Sequence, residues 1–167
     1  MIKRAQAGFT LVELIVVILL ISIVSAYAAS RYIGTGSFSA YAAQEQAISI
    51  IRQLQVYRMQ SNTTNSANPN FELTASGGCL GSTAGCTAAS TPQAASTPQA
   101  AESRSDVMRL DGVSVSSTIS PIRFDLRGNP LQTNGSALNS VTITFTASGE
   151  SASVCINSQG YVSGGGC

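Results

Sequence analysis

The sequence predicts an α+β fold, with a long N-terminal α-helix, apolar in its first half, packed on an antiparallel β-sheet. Three observations carry that expectation. A charge-free apolar run extends from Leu14 to Ser30, and a second stretch, Ser39 to Gln60, repeats apolar residues at three- and four-residue steps. Beyond residue 106 the pattern changes to alternating apolar and polar residues punctuated by glycine, asparagine and proline, which is the period of strands.

The elements follow in order. Residues 1–8 read as a short basic leader, in which Lys3 and Arg4 precede the apolar segment and mark its cytoplasmic side. Gly8-Phe9-Thr10-Leu11-Val12-Glu13 then places a single carboxylate at the head of the run, where a charge needs a reason. Residues 9–30 are long enough for one membrane span: a helix from Phe9 to Ala29 reaches about 31 Å. A cleaved secretory signal ending at Ala26-Tyr27-Ala28 is the competing reading, but it leaves both Glu13 and the Gly8-Phe9 junction without a purpose.

The stretch from Lys3 to Ile23 resembles the processing site of type IV pilins and of the pseudopilins of type II secretion. The resemblance implies that prepilin peptidase cuts between Gly8 and Phe9 and methylates the new amino group of Phe9. It makes Glu13 the acidic residue that meets the Phe9 amine of a neighbouring subunit. Burying either charge alone in a bundle of apolar helices costs several kcal/mol, and pairing offsets part of that, so the contact sets axial register more than net stability. Implied partners are prepilin peptidase, other pilin subunits, an inner-membrane assembly platform and, before assembly, membrane lipid. The implied location is a single-pass inner-membrane protein with its globular domain in the periplasm, then an extracellular pilus.

Residues 31–60 continue the helix past the Gly34-Thr35-Gly36 break, with a possible kink at the glycines. Ala40, Ala43, Ala47, Ile50, Ile51, Leu54 and Tyr57 share one face that should cover a sheet, while Gln44, Glu45, Gln53 and Gln55 are expected largely on the other. Residues 61–105 read as a low-complexity surface loop containing a duplicated Ala-Ala-Ser-Thr-Pro-Gln at 88–93 and 94–99. Residues 106–167 read as the sheet domain. Val113 and Val115, then Ile122, Phe124 and Leu126 before a turn at Gly128-Asn129-Pro130, then Val141, Ile143 and Phe145 mark strands; Ser148-Gly149-Glu150 turns into Val154 and Ile156, and Gly160 precedes Tyr161 and Val162. One sheet on the second helix is the economical architecture. This C-terminal order, from Ser120-Pro121-Ile122-Arg123-Phe124 onward, is similar to the minor pilin group related to FimT and GspH.

Four cysteines, Cys79, Cys86, Cys155 and Cys167, all follow the apolar segment, on the side expected to be exported and oxidising. Three pairings are possible; Cys79 with Cys86 and Cys155 with Cys167 are favoured because each closes a short local loop containing glycine. In the pilin group the C-terminal region is often closed in this way. Zinc fits poorly, since neither pair has close C-x₂₋₄-C spacing and the chain lacks histidine.

Charge and chemistry narrow the function classes. Only 10% of residues are charged, and loss of Lys3 and Arg4 takes the net charge from +1 to −1, leaving no polybasic face. Without histidine, without lysine after leader removal and without a P-loop or dinucleotide fingerprint, the sequence points to a structural protein with no catalytic residue, cofactor, metal or small-molecule substrate. Asp106, Asp111, Asp125 and Glu150 read as solvated surface charges. Arg104, Arg109, Arg123 and Arg127 form a weak nucleic-acid footprint, because acidic residues accompany them.

Overall fold

A computed structural model of the protein describes residues 10–33, 35–64, 67–89 and 104–167, side chains at 29–33, 35–38 and 89 excepted. Lys3, Arg4, Gly8, Phe9 and the duplicated segment beyond Ala89 lie outside the described residues. The chain divides into two compact units, Met1–Thr35 and Gly36–Cys167.

The first unit holds α1 (Leu11–Ile33). Its window Leu11–Ala28 is 18 residues long with a mean hydropathy of 2.6, which meets the length and composition needed to cross a membrane. None of that window is buried within the structure. Many of its residues are β-branched and intrinsically indifferent helix formers in water. In lipid the helix wins regardless, because it satisfies each backbone polar group within one segment.

The second unit is built on α2 (Thr35–Gln60), followed by β1 (Leu73–Ser76), β2 (Cys79–Ser82), α3 (Thr83–Ala89), β3 (Val107–Arg109), β4 (Ser114–Ser117), β5 (Arg123–Phe124), β6 (Pro130–Leu131), β7 (Ser140–Ala147), β8 (Glu150–Asn157) and β9 (Val162–Gly164). Helix plus antiparallel strands is the α+β layout expected. The strands form three small sheets rather than one, ordered β1-β2-β3, β4-β7-β8-β9 and β5-β6, with an antiparallel bridge between Leu73 and Ile122 tying β1 to the start of β5. The single-sheet expectation fails because, of the strands before β7, only β4 pairs with the larger sheet, while β1, β2 and β3 pair with one another and β5 with β6.

Helix α2 buries Ala40, Ala43, Ala47, Ile50, Ile51 and Leu54 in one core with Leu73, Leu80, Phe124, Val141, Ile143, Phe145, Val154 and Ile156. The alternation expected along β7 is present, with Val141, Ile143 and Phe145 inside. Strands β7 and β8 turn through Ser148 and Gly149, both at positive φ, which is the mirror-image turn that matches strand twist.

Four expectations are corrected. Gln44 and Gln55 are buried, 9% and 6% exposed, whereas Tyr57 is 42% exposed. Hydrogen bonds explain the exchange: Gln44 Nε2 donates to Ser153 O at 2.5 Å, and Gln55 Nε2 donates to Gly128 O at 2.9 Å and Gly160 O at 2.7 Å. Residues 73–89, read as surface loop, instead form β1, β2 and α3 with Leu73, Leu80 and Cys79 buried. The alternation of Ile122, Phe124 and Leu126 stops after Phe124, because the chain turns at Asp125 and leaves Leu126 51% exposed.

Candidate processing and assembly site

Thr10 is the first described residue after the Gly8-Phe9 junction, and it caps α1. Its Oγ1 accepts the Glu13 backbone N–H at 3.2 Å, and its carbonyl accepts Leu14 N–H at 3.2 Å. Thr10 is therefore the N-cap and Glu13 the third helical residue, the Thr-x-x-Glu spacing of a capping box. Glu13 is exposed, and its carboxylate sits in the first helical turn, where the helix dipole favours negative charge. An acceptor so placed can receive a cation from outside the chain. The capping role of Thr10 is not among the sequence expectations, although a Ser/Thr three places before an acid at the head of an apolar run is a legible signal for it.

The cysteines pair as Cys79–Cys86, Cα to Cα 5.9 Å, and Cys155–Cys167, Cα to Cα 5.1 Å, at separations of 7 and 12 residues. The first bond joins the start of β2 to α3, and the second anchors the C-terminal residue on β8. No free cysteine remains.

Asp106 departs from the solvated charge expected of it, being only 9% exposed. Its Oδ2 accepts Ser82 Oγ–H at 2.6 Å and Arg104 Nη2–H at 2.8 Å. Burial pushes its carboxyl up, but the hydrogen bonds from Arg104 and Ser82, with the Arg104 charge, outweigh burial and hold it below the usual carboxylate range. The hydrogen bond to Asp106 raises the Arg104 guanidinium in turn, against desolvation. Arg123 donates to Glu72 at 2.7 Å and also to Thr133 O. Asp125 lies in a turn of its own making, accepting Arg127 N–H at 2.8 Å and Asn129 N–H at 2.9 Å. Asp111 and Glu150 are exposed. Two of the four arginines of the nucleic-acid footprint are thus committed to internal ion pairs. Among the described residues no cluster of three His, Cys, Asp or Glu could hold a metal.

No curated protein and no solved structure matches the chain. Residues 3–29 match the family model described as the prokaryotic N-terminal methylation motif, and that match, which takes in Lys3, Arg4, Gly8-Phe9, Glu13 and the apolar segment through Ala29, supports a type IV pilin-like protein.

Proposed function

We propose that the chain is a minor type IV pilin, a structural subunit processed by prepilin peptidase and built into, or priming, a surface pilus that serves adhesion. The observation that carries this reading is the methylation motif at residues 3–29 joined to an apolar helix headed by one capped acid, Glu13. The leader 1–8 is removed between Gly8 and Phe9, residues 9–30 form the membrane and later filament-core helix, and the remainder is exported. Before assembly the protein is a single-pass inner-membrane protein with a periplasmic domain, engaged by an assembly platform. In the filament Glu13 accepts the methylated amine of Phe9 from an adjacent subunit. The finer resemblance, through Ala40-Tyr41-Ala42-Ala43 and the Ser120 to Pro130 stretch, is to MshC, a minor pilin of the mannose-sensitive haemagglutinin (MSHA) pilus.

Mass spectrometry of the mature N-terminus is the decisive test. A chain starting at N-methylated Phe9 is the expected result; one starting near Ala29 belongs to a cleaved secretory signal and ends the pilin reading. Glu13→Ala should leave leader removal intact and lower incorporation into purified filaments by at least tenfold, and normal incorporation would remove Glu13 from assembly.

The second reading is a pseudopilin of type II secretion related to GspH, which shares the same motif. Deletion separates the two: loss of pili supports the first, a secretion defect with normal pili the second. A FimT-like role in binding DNA has less support, because Arg104 and Arg123 are held by Asp106 and Glu72.

A further inference from the structure

Arg58, in the last turn of α2, is only 2% exposed, yet among the described residues no carboxylate lies within ion-pair distance of it. Its contacts are to neutral acceptors. Nε donates to Phe124 O at 3.0 Å, and Nη1 donates to Thr63 O at 2.7 Å and Ser61 Oγ at 2.8 Å. Nη2 donates to no described residue, and Arg58 forms one wall of a cleft of about 430 Å³ with Thr64, Asp125, Leu126, Arg127 and Leu131. Asp125 shares the cleft but forms no ion pair with Arg58, its two oxygens accepting from Arg127 N, Asn129 N and Asn129 Nδ2.

We propose that this cleft is a binding site for a carboxylate side chain of a partner polypeptide, with Arg58 Nη2 as its principal donor. A guanidinium removed from water without a counter-ion is costly, and backbone carbonyls supply only part of the missing negative charge. A planar carboxylate is the complement of the open edge that remains. The walls choose among anions. Leu126 and Leu131 offer apolar surface to the alkyl stem of a glutamate and to an apolar neighbour. One open nitrogen beside the Asp125 carboxylate suits a monoanion better than a phosphate, which needs several converging donors and would meet more repulsion from Asp125. Arg127 at the rim adds attraction without being buried. The site lies in the second unit, does not use Glu13, and does not depend on the pilin reading.

The test is an NMR titration of the full chain in detergent micelles, labelled with ¹⁵N-arginine and followed at the Arg58 Nε–H resonance. Acetyl-Leu-Glu-Leu-amide should shift that resonance to saturation. Its glutamine counterpart and inorganic phosphate should each bind at least tenfold more weakly. Arg58→Met removes the resonance and risks the fold, so the decisive variant is Arg127→Glu at the exposed rim, which should keep the spectrum of the folded protein and weaken the glutamate peptide at least tenfold. The proposal is overturned by no saturable shift, by equal binding of the glutamine peptide, by tighter binding of phosphate, or by unchanged affinity in Arg127→Glu.

Discussion

Single residues carry two kinds of charge in this protein, and their surroundings decide which kind each is. Glu13 is placed by a helix start: Thr10 satisfies one of the orphan N–H groups, and the acid adds a favourable interaction with the dipole. Asp106 is placed by burial and compensated by Arg104 and Ser82. Because its folded-state pKa is lowered, Asp106 contributes stability that is present above the ordinary carboxylate value and is lost as pH falls from about 4 towards its folded value. Asp106→Asn should therefore lower the melting temperature at pH 7 and show a shallower acid decline than the parent below pH about 4, read by circular dichroism. Equal slopes would mean that Asp106 does not report the acid transition. The motif around Glu13 was legible because it is local, a fixed spacing within six residues. The environment of Asp106 was not, because it depends on Ser82, 24 residues away in sequence.

At the scale of elements, α2 shows what hydrophobic period can and cannot reveal. Its apolar face, Ala40 to Leu54, followed directly from three- and four-residue spacing. The flanking polar row did not, since Gln44, Gln55 and Arg58 sit in the interior as hydrogen-bond donors to strand and turn carbonyls, which no hydropathy pattern encodes. Arg52 extends the row, donating to Val162 O at 2.9 Å. These donors lock the helix to backbone rather than to side chains, so the turns they grip must keep their shape. Gly160 is the sharpest case. It has a φ of +78°, and a Cβ there would collide with the Gly128 carbonyl and come within 3.1 Å of Gln55 Nε2. Gly160→Ala should destabilise the protein by about 2–4 kcal/mol, combining left-handed strain with the loss of one or both Gln55 bonds. Gln55→Ala alone should cost about 1–3 kcal/mol, by leaving two carbonyls unpaired. Urea denaturation of the full chain in detergent reads both, and a neutral Gly160→Ala would show that the two turns are not held against each other.

Over the whole molecule, cohesion is confined to the second unit, because α1 has no buried residue in its apolar window and gains its stability from whatever surrounds it. The second unit has a modest core, and seven of its nine described strands are only two to four residues long. Short strands such as β9 contribute few ladder bonds, which is why two covalent closures matter here. Residues 73–89 are not legible as structure from sequence, because a small, polar composition without periodicity looks like loop, while their order arises from the Cys79–Cys86 bond and from pairing with β3, across the intervening chain. The two disulfides act at different places. Cys155–Cys167 closes a 12-residue loop that contains β9 and the Gly164-Gly165-Gly166 tail, whereas Cys79–Cys86 closes a 7-residue loop at the start of β2. Replacing both Cys155 and Cys167 by serine should cost about 2–4 kcal/mol through the freed unfolded chain. It should also raise amide exchange at Val162 and Ser163 at least tenfold while leaving β1 and β2 protected. The Cys79/Cys86 double replacement should do the opposite, exposing β1 and β2 first. Parallel loss of protection in both regions from either replacement would show that the second unit opens as one cooperative body, with neither bond acting locally.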